Sequence, residues 1–389
     1  MDKQNNYHFV FSVLVLFFLC NSAFAINSAF SSINQVGGLN QRPRSRHVSK
    51  LFVFGDSYVD TGNNKFTVQS WKVPYGMTFP GFPTSRHSDG LVFTDFFASF
   101  MGVRSPMPYT QWNNLNKRRV RNGMNFAHGG TGVFTTWNSE PNMTTQINTF
   151  RQYVADGVYN NHDLDRSMAL VALSGNDYTQ YLLDGGTEEG FQAYIEKVLA
   201  QLELNLREIG MTGIKKVVVL TLQPIGCLPR NAEYLSFEKC DKPLNNETIF
   251  HNTLHQQIVQ RLNSETADSP FDILDLYNAF LTVINKQGEG YFSGNTKAAS
   301  FEFGKPLLKP CCDPTSAEFI CSSVDDNGVK QYTLCENPND SLFWDGVYPT
   351  ESGWDAIFSA LRPSLDKLFS QLNIHPQHRP SLSGSVAVS

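Results

Sequence analysis

Short unbroken apolar runs alternate along this chain with longer stretches in which apolar residues return every three or four positions. "KLFVFGDS" (50–57), "SMALVALSGND" (167–177) and "KKVVVLTLQPIG" (215–226) each run apolar and then end in turn residues. "FDILDLY" (271–277) is a weaker fourth run and "GMNFAHGG" (123–130) a fifth. Continuous rather than alternating apolarity predicts strands covered on both faces, as in parallel sheets. Between the runs, Phe191, Ile195, Val198, Leu202, Leu206 and Ile209 step as one helix face, and Gly210 follows as a stop. Ile249, Leu254, Ile258 and Leu262 predict a second helix over 246–264. Ile357, Leu361, Leu365 and Leu368 predict a last one from Ser352 to Leu372, kinked or split by Pro363. Strand and helix in alternation predict one α/β sheet with helices on both faces. The Cys-rich stretch 310–336 reads as an irregular insert, and the polar tail 374–389 as disordered. No internal repeat is visible.

The first residues belong to a different pattern. His8 to Ala25 is an apolar run preceded by Lys3 and closed by Ala23-Phe24-Ala25, which predicts an export signal cleaved near Ala25. A membrane anchor is the rival reading, but the uninterrupted core from Phe9 to Cys20 is short for a span. The expected organisation is therefore a signal at 1–25, a flexible polar leader at 26–49, one catalytic-type domain at 50–373 and the tail. The expected location is extracellular, with no integral membrane segment after signal removal. With 41% hydrophobic and 17% charged residues, the chain has ample material for a core. A net charge of −5 without a basic face argues against a nucleic-acid partner.

Removing the signal removes Cys20 and leaves six cysteines: Cys227, Cys240, Cys311, Cys312, Cys321 and Cys335. An even number in an exported chain predicts disulfides. No paired C-x-x-C motifs support the zinc alternative, so neither metal nor cofactor is expected. Cys227 with Cys240 is a plausible local pair; the other four pair among themselves, since adjacent Cys311 and Cys312 are poorly placed to join each other. Sequons at Asn142, Asn246 and Asn339 are candidate glycan acceptors.

Candidate chemistry gathers where the predicted strands end. In a parallel sheet, ligands collect outside the strands' carboxyl ends. Gly55-Asp56-Ser57 stands at the first such end, where a serine at a helix start has backbone N–H groups nearby for an oxyanion. Gly129-Gly130 stands at another, where absent side chains let an N–H approach a ligand. Gly175-Asn176-Asp177 stands at a third, with an amide able to donate. Singly, each is more often a helix cap, a loop or a turn.

Together and in order, "FVFGDSYVDTGNN", "NFAHGGTGVF", "LSGNDY", "LQPIGCLP" and "FWDGVYPTESGW" resemble the plant GDSL esterase/lipase family of the SGNH hydrolases. The resemblance runs from about Leu51 to Leu372. It implies a flavodoxin-like, three-layer α/β/α fold with a five-stranded parallel sheet. It implies Ser57 as nucleophile and oxyanion N–H, Gly129 (with Gly130 as the one-residue alternative) and Asn176 as further oxyanion donors, and Asp345 as the acid. The family's histidine falls on Tyr348. It also implies a small-molecule or lipid ester as partner.

That last position changes the expected chemistry. A serine hydroxyl needs a neighbouring base, and a phenol with pKa near 10 is protonated at pH 7. The preferred reading is that Tyr348 fills the imidazole's space and donates its O–H to Asp345. His128 and His87 are the candidate substitutes, with a loop or surface histidine as the bland reading of each. The expected function is a secreted GDSL-type ester hydrolase acting through Ser57, impaired at the base. The alternatives are an inactive binding or accessory protein and an acyltransferase using the same serine.

Overall fold

The computed structural model describes residues 48–112, 120–266, 268, 270–285 and 306–371. Residues 1–47, with the expected export signal and most of the leader, lie outside the described residues, as does the tail.

Six strands form one parallel sheet: β1 (Lys50–Gly55), β2 (Met107–Pro108), β3 (Gly123–Asn125), β4 (Ser167–Ala172), β5 (Lys216–Leu220) and β6 (Phe271–Leu274). Their order is β2-β3-β1-β4-β5-β6. The five expected strands are all present. The sixth, β2, is a two-residue edge pairing Met107 with Met124. Pro108 cannot donate to a ladder, which keeps such a strand short and at an edge.

The strands face both ways, as continuous apolarity demands. Leu51 and Val53 of β1 pack into a core with the helices Phe93–Phe100, Leu276–Asn285 and Glu351–Gln371. Phe52 and Phe54 point into the opposite core with the helices Met143–Ala155, Glu188–Gly210 and Lys242–Glu265. The result is the three-layer α/β/α arrangement. Phe52 is fully buried, and truncating such a side chain to alanine costs roughly 3–5 kcal/mol.

Helix starts follow local capping. Thr187 accepts from the Gly190 N–H, and Glu188 and Glu189 sit in the first turn where negative charge suits the dipole. Asp241 accepts from the Leu244 N–H at 2.9 Å and starts its helix four residues before the expected 246. Glu351–Gln371 is one helix, so Pro363 does not split it. Pro363 is exposed, and water can serve the carbonyl that loses its partner there. No helix among the described residues is long and apolar enough to cross a membrane.

Three disulfides join Cys227 to Cys240, Cys311 to Cys335 and Cys312 to Cys321. The Cys-rich insert is more ordered than expected: β7 (Cys312–Pro314) and β8 (Tyr332–Leu334) pair antiparallel within it. Of the three sequons, Asn246 and Asn339 are exposed, while Asn142 caps the helix Met143–Ala155.

Candidate active site

β1 lies where the strand order reverses: the chain goes from β1 to one edge, then crosses to β4 on the other side. The carboxyl end of such a strand is where a crevice opens. Ser57 follows β1 directly and is 1% exposed. Its neighbour Asp56 is fully buried and accepts from the Tyr58 N–H (3.2 Å), the Ser174 N–H (2.5 Å), the Ser174 hydroxyl (2.8 Å) and the Asn176 amide (3.2 Å). Burial pushes Asp56 up to about 7 against these hydrogen bonds. Asp56 thus ties the serine turn to the loop after β4, and the two are held as one body.

The Tyr348 hydroxyl donates to Ser57 Oγ at 2.9 Å. This overturns the expectation that it donates to Asp345. Asp345 is occupied otherwise: Oδ1 accepts the N–H groups of Val347 and Tyr348, both at 2.9 Å, and Oδ2 accepts the Tyr75 hydroxyl at 2.6 Å. Burial, reinforced by the charge of Asp345, pushes the Tyr348 phenol above its ordinary value, while the contact with Ser57 opposes the rise. At neutral pH it is a hydrogen-bond donor and no base.

The oxyanion donors also differ in detail from expectation. The Gly129 N–H donates to Asp60 Oδ2 at 3.1 Å and is not free. Asn176 spends its amide hydrogens on the Thr131 carbonyl (2.9 Å) and on Asp56. The backbone N–H groups of Ser57 and Gly130 have no hydrogen-bond partner among the described residues. Gly130 has φ +79°, and a Cβ there would lie 2.4 Å from Asn138 Nδ2. Only glycine fits that turn without strain. The one-residue alternative, Gly130, is therefore the better donor, and nothing in "AHGGTG" signals which of two adjacent glycines Asp60 will claim.

Neither candidate histidine hydrogen-bonds to Ser57. His128 faces Tyr109, whose hydroxyl is 3.2 Å from Nε2, and Glu140, 3.8 Å from Nδ1. Burial pushes it down to about 4, with Glu140 opposing, so at neutral pH the pair with Glu140 is not ionic. His87 is nearer the chemistry. Its ring lies 4.5 Å from that of Tyr348, tilted by 36°. The Asn64 amide donates to its Nε2 at 3.2 Å, and Nδ1 is buried without a partner. Burial pushes His87 down to about 3.

Tyr75 was missed in the sequence. It is fully buried, 270 residues from Asp345 in the chain, and belongs to no motif. It lies in the turn-rich stretch after the short helix Gln69–Trp71, and no spacing or pattern there marks it as a site residue.

A buried serine at the switch point, an acid three residues before the ring that touches it, and free N–H groups beside it define a class: a three-layer protein of the SGNH-hydrolase type. Comparison with known proteins narrows this. The chain matches the GDSL-like lipase/acylhydrolase family over residues 51–361 and belongs to it. A GDSL esterase/lipase of Arabidopsis thaliana is 48% identical over 360 residues, covering 90% of this chain and 97% of its own. A second from the same plant is 44% identical, covering 82% and 89%. Acetylajmalan esterase 2 of Rauvolfia serpentina is 30% identical, covering 82% and 90%.

Proposed function

We propose that this chain is an ester hydrolase of slow turnover, with Ser57 as the acyl-accepting nucleophile and removal of its proton as the limiting step. In this reading Ser57 Oγ attacks the ester carbonyl, and the N–H groups of Ser57 and Gly130 receive the oxyanion. The alcohol leaves with a proton, and water releases the acyl group from Ser57. Asn176 holds the turn by bridging Asp56 and Thr131. A single observation carries the reading: Tyr348 donates to Ser57 Oγ, so the serine has a donor where it needs an acceptor. General-base catalysis supplies about 10²–10⁴-fold, and the rate is lowered by at least that order.

The same observation favours a second reading, a protein that binds esters in this cleft without turning them over. Acyl transfer to another alcohol differs only in what replaces water. Membership in the GDSL family and the likeness to a protein named acetylajmalan esterase 2 support a short acyl ester as the first substrate to try. We also propose export: residues 1–25 form the signal, and the exposed Asn246 and Asn339 are the preferred glycan sites.

Fluorophosphonate labelling and hydrolysis of a short activated ester test the function. Weak labelling of the wild type at Ser57, with a gain of at least about 10²-fold in Tyr348→His that disappears in a Ser57→Ala background, is the expected result. Absence of labelling in both the wild type and a folded Tyr348→His would leave only the binding reading. Fast wild-type turnover through Ser57 would overturn both.

A further inference from the structure

In a serine site of this type, the acid's task is to accept the N–H of the base and keep it oriented. Here the side chain that Asp345 holds is Tyr75. The contact is short, 2.6 Å, and both partners are buried. A hydroxyl donating to a carboxylate at this distance is among the stronger hydrogen bonds. Tyr75 is also held from behind. Its ring lies 6.0 Å from Trp344 and 6.2 Å from His87, both near edge-on. It shares a small core with Cys311, Cys312, Cys321, Tyr332 and Trp344. The phenol cannot swing away cheaply.

With two backbone N–H groups on Oδ1 and Tyr75 on Oδ2, Asp345 already has three donors. We infer that Tyr75 is a positioning residue: it holds the Asp345 carboxylate in place of a base and competes with any imidazole installed at position 348. The Asp345 carboxylate is already engaged by the Tyr75 hydroxyl, and a change at 348 alone leaves that competing donor in place. This rests on reading Asp345 as the acid of a serine site.

The physical consequence is measurable without turnover. A carboxylate stabilises a neighbouring imidazolium in proportion to the charge it can direct there, and each competing donor draws that charge away. Tyr75→Phe removes the competing hydroxyl and keeps the ring. The experiment is an NMR titration of the introduced imidazole in Tyr348→His and in Tyr75→Phe/Tyr348→His, its resonance being the one absent from the wild type. The expected result is a pKa higher by about one unit in the double variant, the tenfold shift that a hydrogen bond of this kind carries. The acidic limb of kcat/KM should move up by the same amount, with kcat rising and KM held. Tyr75→Met/Tyr348→His serves as a second double variant should the phenylalanine form melt early. Equal imidazole pKa values with and without the Tyr75 hydroxyl overturn the inference. Shifted values with no turnover in either variant would instead remove Ser57 as nucleophile and leave the role of Tyr75 standing.

Discussion

The Tyr348 hydroxyl and Ser57 Oγ are 2.9 Å apart, and the phenol, the more acidic of the two hydroxyls, is the better donor. The direction of that bond decides what it does. A donor draws on the oxygen lone pairs that must attack a carbonyl, whereas a base would accept the serine's own proton. Removing the donor alone should therefore help. Tyr348→Phe is expected to raise fluorophosphonate labelling of Ser57 by about fivefold, the worth of one neutral hydrogen bond. A drop of tenfold or more in the same assay would mean that the phenol relays the proton.

Much of this was readable from residue order, and the part that was not has a physical reason. The runs at 50–57, 167–177 and 215–226 became β1, β4 and β5 because strands buried on both faces leave a signature in the chain itself. The helix Phe93–Phe100 was not foreseen. "FTDFFASF" is too short for a clear period, and its start is set by Asp95 accepting from the Val92 N–H, with Arg86 paired to the same carboxylate. At the site, residue type located Ser57 and Asp345, but partners could not be read. Asp345 Oδ2 is claimed by a tyrosine from a distant loop, and the Tyr348 hydroxyl is paired with Ser57. Asp60 claims Gly129 and leaves Gly130 free. Such choices are made by three-dimensional competition for donors and acceptors, which spacing does not encode.

Buried histidines give the fold an acid sensitivity. His255 is buried on the helix Lys242–Glu265, with neither ring nitrogen partnered, beside His251, which contacts the Tyr178 hydroxyl at 2.5 Å. Burial pushes His255 down to about 4 from an ordinary 6.5. Its contribution to stability is therefore complete above pH 6.5 and is lost as pH falls from there through about 4, since the unfolded chain takes the proton first. Buried Asp56, Asp60 and Asp177, pushed up to about 7, 6 and 6, act in the opposite sense over much the same range. Comparing the wild type with His255→Leu cancels them. Relative to the wild type, the leucine variant is expected to gain roughly 2 kcal/mol on going from pH 7 to pH 5. Urea denaturation at the two pH values measures this, and an equal offset at both would show that His255 is not the group that titrates.

The Cys-rich hairpin is built into the loop that carries Asp345. The Cys311 N–H donates to the Phe343 carbonyl at 2.9 Å and the Cys312 N–H to the Trp344 carbonyl at 2.6 Å. Cys335 closes the group: its N–H donates to the Cys311 carbonyl at 2.8 Å, and its sulfur is bonded to Cys311. The backbone just before Asp345 is thus gripped by a segment that the disulfides hold in shape. A bridge spanning 24 residues constrains the unfolded chain by roughly 3 kcal/mol. Cys311→Ser/Cys335→Ser should lower stability by about that amount. It should also loosen residues 343–348, and the effect on chemistry separates the two roles. In a Tyr348→His background, which needs Asp345 accurately placed, losing the bridge is expected to cut Ser57 labelling by tenfold or more at a temperature where the protein is still folded. Because 1 Å of misplacement can cost 10²-fold in a positioned reaction, that is a modest demand. If the melting temperature falls while labelling of the folded protein is unchanged, the hairpin stabilises the domain and has no part in holding the acid.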